Sequence, residues 1–518
     1  MRLASLRELL ENRTTEYSDK TFLFSEVDNR EWTYAEFNRA VNKTANLLKT
    51  NGIRKGDVVS LLLPNSAEYV IAYFACWKIG AIAGPVNSLL KAEEIAWVVS
   101  NSEAKLMLVG SDWTASIPAF MNAEQAIFFD NEATSTAEFN DDLVPADISL
   151  DDEAIIIYTS GTTGRPKGCL LTHGNLFANA RQIAEWMGFG PGDRLLSVMP
   201  LFHMNAVSVT TMSALYAGGS TVVSPKFSGS RFWDIIEKYQ ITSFGSVATM
   251  LSMLLAGREP GVLSHEQEKD RLTTHDSRLT TLRFAMCGSA PVPAEVLRRF
   301  EETFDVLVIE GYGLSESTCR STFNPPNEER RPGSCGKPIG NEMKIFDERD
   351  QELPDGELGE IVLRGPNIFK GYFKNPDATE KAFAGGWFHT GDLGYRDTDG
   401  FFYIADRKSD MIIRGGENIY PREIDDLLYT HPAVAAAAVI GVPDELYGEE
   451  VAAFVMLKDG TNATDDDLIE FCKTHLADYK CPKSIHFVDD IPKGPTGKLL
   501  KRELAAKVIT LKSENVKM

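Results

Sequence analysis

The chain has 518 residues, too many for one compact core, and its 43% hydrophobic and 25% charged residues exclude a disordered or fibrous protein. Its net charge of −21 excludes a broad basic face for a nucleic-acid backbone as the main working surface. An anionic small ligand must therefore be held by local cations, backbone N–H groups or a metal ion. From Met1 to Glu11 charges are mixed into the first turns, without the apolar core of a signal peptide. Thr33 and Glu36 form a capping box that opens a helix, with Phe37, Ala40, Val41, Thr44, Leu47 and Leu48 at helical spacing. Residues 57–63 read as a strand stopped by Pro64, followed by a helix through Tyr73 and Trp77. Residues 106–109, 154–158, 194–199, 221–223, 282–287 and 306–310 read as further short buried strands. The stretch 258–277 is polar and charged and reads as a solvated excursion.

After Gly356 the pattern changes to short β-like runs at 358–364, 400–405 and 411–413, broken by glycines. A helix at 420–428, strands at 433–442 and 451–457, and a second helix at 464–475 complete the chain. The apolar run 433–442 is far shorter than the ~20 residues of a membrane span and reads as a buried strand. The expected fold class is α/β: a large multi-subdomain N-terminal domain with mostly parallel sheets plus a small C-terminal α+β domain. The charged run from Asp406 to Asp410 places the boundary, giving domains 1–408 and 409–518, the second expected to move. Seven cysteines (Cys76, Cys169, Cys287, Cys319, Cys335, Cys472, Cys481) form no Cys-x-x-Cys pair. That disfavours a zinc site or disulfide framework and, with no signal peptide, points to the cytoplasm.

The strongest local signal runs from Thr159 to Gly168, Thr-Ser-Gly-Thr-Thr-Gly-Arg-Pro-Lys-Gly, directly after the strand 154–158. Glycines let the backbone turn and present N–H groups to phosphate, hydroxyls donate further hydrogen bonds, and Lys167 adds charge. The spacing does not fit the ordinary nucleotide-triphosphate loop. A flexible turn is the competing reading for a generic run of this composition.

At this motif the chain resembles the superfamily of acyl-CoA synthetases, amino-acid adenylation domains and firefly luciferase, from about Phe22 to about Arg502. Further motifs match in order: Cys-Gly-Ser-Ala-Pro from Cys287, Glu-Gly-Tyr-Gly-Leu-Ser-Glu-Ser from Glu310, Trp-Phe-His-Thr-Gly-Asp-Leu-Gly from Trp387, and Asp-Arg-Lys-Ser-Asp from Asp406. Arg-Gly-Gly-Glu-Asn-Ile-Tyr from Arg414 and Pro-Thr-Gly-Lys ending at Lys498 follow.

The resemblance implies that Thr159, Ser160, Gly161, Thr162, Thr163, Gly164 and Lys167 cradle the phosphates of ATP. Gly288, Ser289, Ala290, Pro291, Glu310, Gly311, Tyr312 and Gly313 would hold adenine, with Tyr312 stacked on the ring. Ser315 would contact the triphosphate, and Glu316 and Thr159 would bind magnesium. Asp392 would accept from the ribose hydroxyls, and Arg407 would contact ribose and phosphate. Ser409 stands at the hinge, where the family usually has Asp or Lys.

The catalytic set carried over is Lys498, Glu316, Thr163 and His203, with His203 in a binding or gating role at the acyl group. A carboxylate and an α-phosphate at about 3.5 Å repel by roughly 5 kcal/mol per unit charge pair at an effective dielectric of about 20. One ammonium, assigned to Lys498, offsets much of this and aligns the two groups. His203, Asn205, Ser246, Val247, Gly288, Gly311, Gly313 and Leu314 would line the acid pocket; Asn205, Ser246, Cys319 and Arg320 suggest a short or polar acid. The Phe-His stretch ending at His203 is similar to the subgroup acting on carnitine-like and other small acids. After rotation of the small domain, Gly415, Gly416 and Glu417 would line a tunnel for coenzyme A.

The implied activity is an ATP- and magnesium-dependent acid:CoA ligase working through acyl-AMP with release of pyrophosphate. The rival fates are loading a carrier protein or oxidising the adenylate. A non-catalytic nucleotide-binding protein is opposed by the joint presence of Lys498, Glu316, Asp392 and Lys167. The expected partners are a small carboxylic acid, ATP and CoA, with no nucleic acid or membrane insertion, and self-association into a homodimer is left open.

Overall fold

In the computed structural model, residues 5–144, 146–159, 166–257, 281–288, 294–327, 329–458, 460–492, 501 and 504 are described. The helix Tyr34–Thr50 starts at the expected capping box: the Glu36 N–H donates to the Thr33 hydroxyl at 3.2 Å, and the Thr33 N–H to the Glu36 carboxylate at 2.9 Å. The apolar positions read from its spacing are its buried face. The stretch 258–277 lies outside the described residues.

Strands and helices alternate into two seven-stranded, largely parallel sheets. In the first, the spatial order is Leu307–Glu310, Phe284–Cys287, Ser243–Ser246, Arg194–Ser197, Ser220–Val223, Thr21–Ser25 and Glu31–Thr33. In the second it is Gly371–Tyr372, Lys167–Thr172, Glu153–Thr159, Ile82–Pro85, Val58–Leu62, Leu106–Val109 and Ala126–Phe128. The helix Ala67–Ile79 touches strands of both sheets and is buried along its whole length. Its two charges survive there because each has a partner: Lys78 donates to Glu11 at 3.2 Å, and Glu68 accepts from Arg30 at 2.7 Å. The parallel register Cys287↔Glu310 brings the loops that follow these two strands side by side, at the carboxyl edge where ligands of such sheets bind.

A four-stranded antiparallel sheet follows: Glu342–Phe346, Gly359–Arg364, Phe388–Arg396 and Phe402–Arg407. Its last strand runs through Arg407, two residues further than the sequence pattern suggests, so the first half of the charged run is still sheet. The strand ends in the next turn, where the Asp410 N–H donates to the Arg407 carbonyl at 3.0 Å.

The rest forms a five-stranded sheet with the helices Pro421–Tyr429 and Asp465–Lys473. Ile424, Leu428, Leu468 and Cys472, at i and i+4 on their helices, pack on Ala437, Val439, Val451, Ala453 and Val455 of the sheet. The opposite face carries Ala436, Ala438, Ile440 and Val442, covered by Ile491 and Leu504. Both faces of the strand Val434–Asp444 are thus buried, which is why its sequence is apolar without alternation. Among the described residues no helix is long and apolar enough to cross a membrane.

Candidate active site

The strand Glu153–Thr159 returns antiparallel as Lys167–Thr172, with Thr159 opposite Lys167. The phosphate-cradle residues Ser160, Gly161, Thr162, Thr163 and Gly164 fall between them and lie outside the described residues. Lys167 holds its Nζ 5.0 Å from the centre of the Tyr372 ring, and the Tyr372 hydroxyl donates to the Glu316 carboxylate at 3.0 Å. Tyr372 carried no signal in the sequence; it arrives because Gly371–Tyr372 pairs with Leu170 and Cys169 across some 200 residues. Burial raises the pKa of Glu316, and no cation pairs with it among the described residues. One carboxylate without a counter-cation fits magnesium, which takes its remaining ligands from phosphate oxygens and water.

Beside it, Asp392 is buried on the strand Phe388–Arg396, directly opposite Arg407 on the next strand. Its Oδ1 accepts from Arg407 Nε at 2.8 Å and its Oδ2 from the Tyr312 hydroxyl at 2.6 Å. Each carboxylate oxygen keeps a second lone pair, so a ribose diol can be added without breaking either contact. Arg407 and Asp392 both act on the Glu316 carboxyl, the first lowering and the second raising its pKa, so the two clusters lie near one another.

The glycines between them are required by close approach. A Cβ on Gly311 would lie 2.4 Å from the Phe323 ring, one on Gly313 2.0 Å from the Cys319 carbonyl oxygen, and one on Gly288 2.5 Å from the Gly311 carbonyl oxygen. The Glu310 carboxylate accepts from the Gly333 N–H at 2.9 Å, and burial pushes its pKa up to about 8. Ser315 opens the short turn that carries Glu316. Ser289, Ala290 and Pro291 lie outside the described residues.

On the acyl side, His203 is half-buried, its N–H donating to the Pro200 carbonyl at 2.9 Å. Burial first, and the Arg320 guanidinium second, push its pKa down to about 4, so the imidazole is neutral at pH 7. Asn205 begins the buried wide-turn helix Asn205–Met212; neither its Oδ1 nor its Nδ2 has a hydrogen-bond partner among the described residues, and Oδ1 would stand 2.7 Å from a Cβ on Gly245. The Ser246 hydroxyl is spent on the Met286 carbonyl at 3.0 Å, and Val247 leads into the helix Ala248–Ala256. Leu314 precedes the turn of Glu316, half-buried.

Gly415 and Gly416 are the two loop residues of the hairpin Ile412–Arg414 and Glu417–Ile419, with φ of 60° and 94°. Gly416 and Glu417 face open space at its tip. Lys498 lies outside the described residues.

Residues 10–373 match the AMP-binding enzyme family, and residues 423–498 the AMP-binding enzyme C-terminal domain. A sulfoacetate–CoA ligase of Cupriavidus necator is 35% identical, covering 96% of this chain and 97% of its own. An oxalate–CoA ligase of Arabidopsis thaliana is 36% identical, covering 97% and 98%. The crystal structure of ATP-bound MatB from Rhodopseudomonas palustris superposes with a TM-score of 0.89 at 30% identity, over 97% of this chain and 98% of that one.

Proposed function

We propose how this chain, which belongs to the AMP-binding enzyme family and is an ATP-dependent acid–CoA ligase, carries out its two steps on a short, polar carboxylic acid. The observation that carries the reading is the single cleft in which Tyr312, Asp392 and Arg407 meet Lys167, Tyr372 and Glu316. Adenine lies on the Tyr312 ring and the ribose on Asp392, whose orientation Arg407 fixes from the facing strand. The phosphates run toward Lys167, at the end of the strand pair that holds Thr159 opposite it. Magnesium would be held by Glu316 and Thr159, where it supplies positive charge to the phosphate oxygens.

The acid enters between Gly288, Gly311, Gly313 and Leu314 on one side and His203, Asn205, Ser246 and Val247 on the other. A neutral His203 and a buried Asn205 whose amide atoms are unpaired among the described residues suit a small polar acid better than an alkyl chain, and the two ligases above are named for short acids. Lys498 brings the carboxylate to the α-phosphate, with Thr163 among the groups around it, and acyl-AMP and pyrophosphate result. The domains are 1–408 and 409–518, divided at the turn after Arg407; rotation there presents Gly415, Gly416 and Glu417 to the thiol of CoA. We place the chain in the cytoplasm, where ATP and CoA meet it; a homodimer is compatible with the reading.

The test is to incubate the protein with ATP, magnesium and a panel of short acids, with and without CoA. Pyrophosphate without CoA and thioester with it are expected. Failure of every acid to release pyrophosphate overturns the reading.

A further inference from the structure

Arg320 is 1% exposed, and its backbone is fixed from two sides. Its N–H donates to Asn179 Oδ1 at 3.3 Å, and its carbonyl accepts from Asn179 Nδ2 at 2.7 Å and Asn367 Nδ2 at 3.2 Å. The guanidinium, by contrast, has two donor nitrogens unused among the described residues. Nε and Nη2 are buried without a hydrogen-bond partner, and no carboxylate pairs with it among the described residues. It rests 5.4 Å from the centre of the Phe323 ring and against Gly288, where a Cβ would come within 2.8 Å of Nη2.

Arginine keeps its proton in proteins, so burial cannot be relieved by neutralisation. A buried charge with donors unused is costly, and a cation–π contact offsets only a fraction of that cost. A residue held this tightly by its backbone, with its charge unspent, is built for an anion that arrives from outside. Its surroundings say which one. Gly288 and the Gly311–Gly313 segment, which packs on Phe323 and Cys319, are the walls assigned to the acid, and His203 is close enough to feel the guanidinium.

The reacting carboxylate is assigned to Lys498 and must keep an oxygen free to attack phosphorus. A planar fork of N–H donors would instead tie up both oxygens. We infer that the acid carries a second anionic group, a carboxylate or sulfonate a short chain away from the activated one, and that Arg320 binds this distal group. The inference rests on the ligase reading above and narrows its acid from polar to dianionic.

The experiment compares the wild-type chain, by pyrophosphate release, on three length-matched pairs, oxalate against acetate, malonate against propionate and succinate against butyrate, with sulfoacetate also set against propionate. Dianions are expected to exceed monoanions by at least ~100-fold in kcat/KM, because a site with unpaired donors rejects a ligand that leaves them unpaired. The carboxylate and sulfonate arms report which anion fits. Arg320→Met should cut the dianion-to-monoanion ratio by about 100-fold, mostly through KM, and Arg320→Lys should fall between. Wild-type enzyme that uses monoanions as well as dianions overturns the inference, whether or not the variants fold. No pyrophosphate from any acid brings down the ligase reading itself, a distinguishable result.

Discussion

Glu310 ends its strand with a 7% exposed carboxyl that accepts one hydrogen bond, from the Gly333 N–H at 2.9 Å. Burial dominates, with Arg422 and Arg330 only partly compensating, and the pKa stands at about 8 against an ordinary 4.5. Between those two values the folded chain holds a proton that the unfolded chain has released. The contribution of Glu310 to stability therefore falls as pH rises from about 4.5 to 8 and is constant above. Glu310→Gln keeps an acceptor for Gly333 and removes the titration. Relative to wild type it should be stabilised progressively between pH 5 and pH 8, by at most on the order of 4 kcal/mol. Melting temperatures of both proteins at pH 5.5 and 8.5 check this; a pH-independent difference would place the carboxyl in contact with water. The motif placed Glu310 in the chain without the Gly333 contact of its carboxylate, because it records the order of residues and not the direction each one faces.

The hairpin carrying Gly415 and Gly416 works at the scale of the element. Arg414 pairs with Glu417, leaving a two-residue loop with both φ positive, the geometry whose twist matches the flanking strands. A Cβ on Gly415 would meet the Tyr447 ring at 3.2 Å, tight but yielding, and one on Gly416 would meet nothing. Backbone strain thus decides. Gly415→Val should weaken the hairpin by ~2 kcal/mol, about 30-fold faster hydrogen exchange at the amide that donates to the Tyr447 carbonyl, while Gly415→Asn should change it little. Equal exchange in both variants would show that the turn does not set local stability.

Elements of this local kind were legible in the sequence. The capping box at Thr33 and Glu36 needs only near neighbours, as do the i, i+4 pairs of the last two helices. The strand Thr21–Ser25 was not legible, because its partner is Ser220–Val223. Nor was the wide turn at Asn205–Met212, where the Thr210 and Thr211 hydroxyls both bond the Ala206 carbonyl at 2.9 Å. The same limit hid Tyr372 and left Arg320 as a bare polar hint. That its Nε and Nη2 find no hydrogen-bond partner among the described residues depends on which groups the whole fold brings near, and no local pattern records that.

At the scale of the molecule, two demands conflict. Adenylation needs a cation between two anions, and thioester formation needs an open path for a slender thiol to the same carbonyl. One rigid arrangement cannot meet both. Lys498 ends the stretch 423–498 that matches the C-terminal domain family, and the Gly415–Gly416 tip also follows the turn after Arg407 in the sequence; we propose that the two move together as one C-terminal unit. In the present arrangement that unit is tied back to the sheet: the Arg422 N–H donates to Asp406 Oδ2 at 2.9 Å and Arg422 Nη1 to the Ile404 carbonyl at 2.6 Å. A unit that turns about this junction can exchange the lysine for the hairpin. Opposite defects should follow. Lys498→Ala should lower pyrophosphate release by at least ~10³-fold yet convert supplied acyl-AMP and CoA to thioester within about 10-fold of wild type. Gly416→Trp should do the reverse, releasing pyrophosphate near the wild-type rate and stalling at the thioester, because a bulky side chain at the tip obstructs only the thiol's path. Single-turnover measurement of each half-reaction in both variants separates them. If either substitution slowed the two steps equally, the lysine and the hairpin would not be serving separate halves of the reaction.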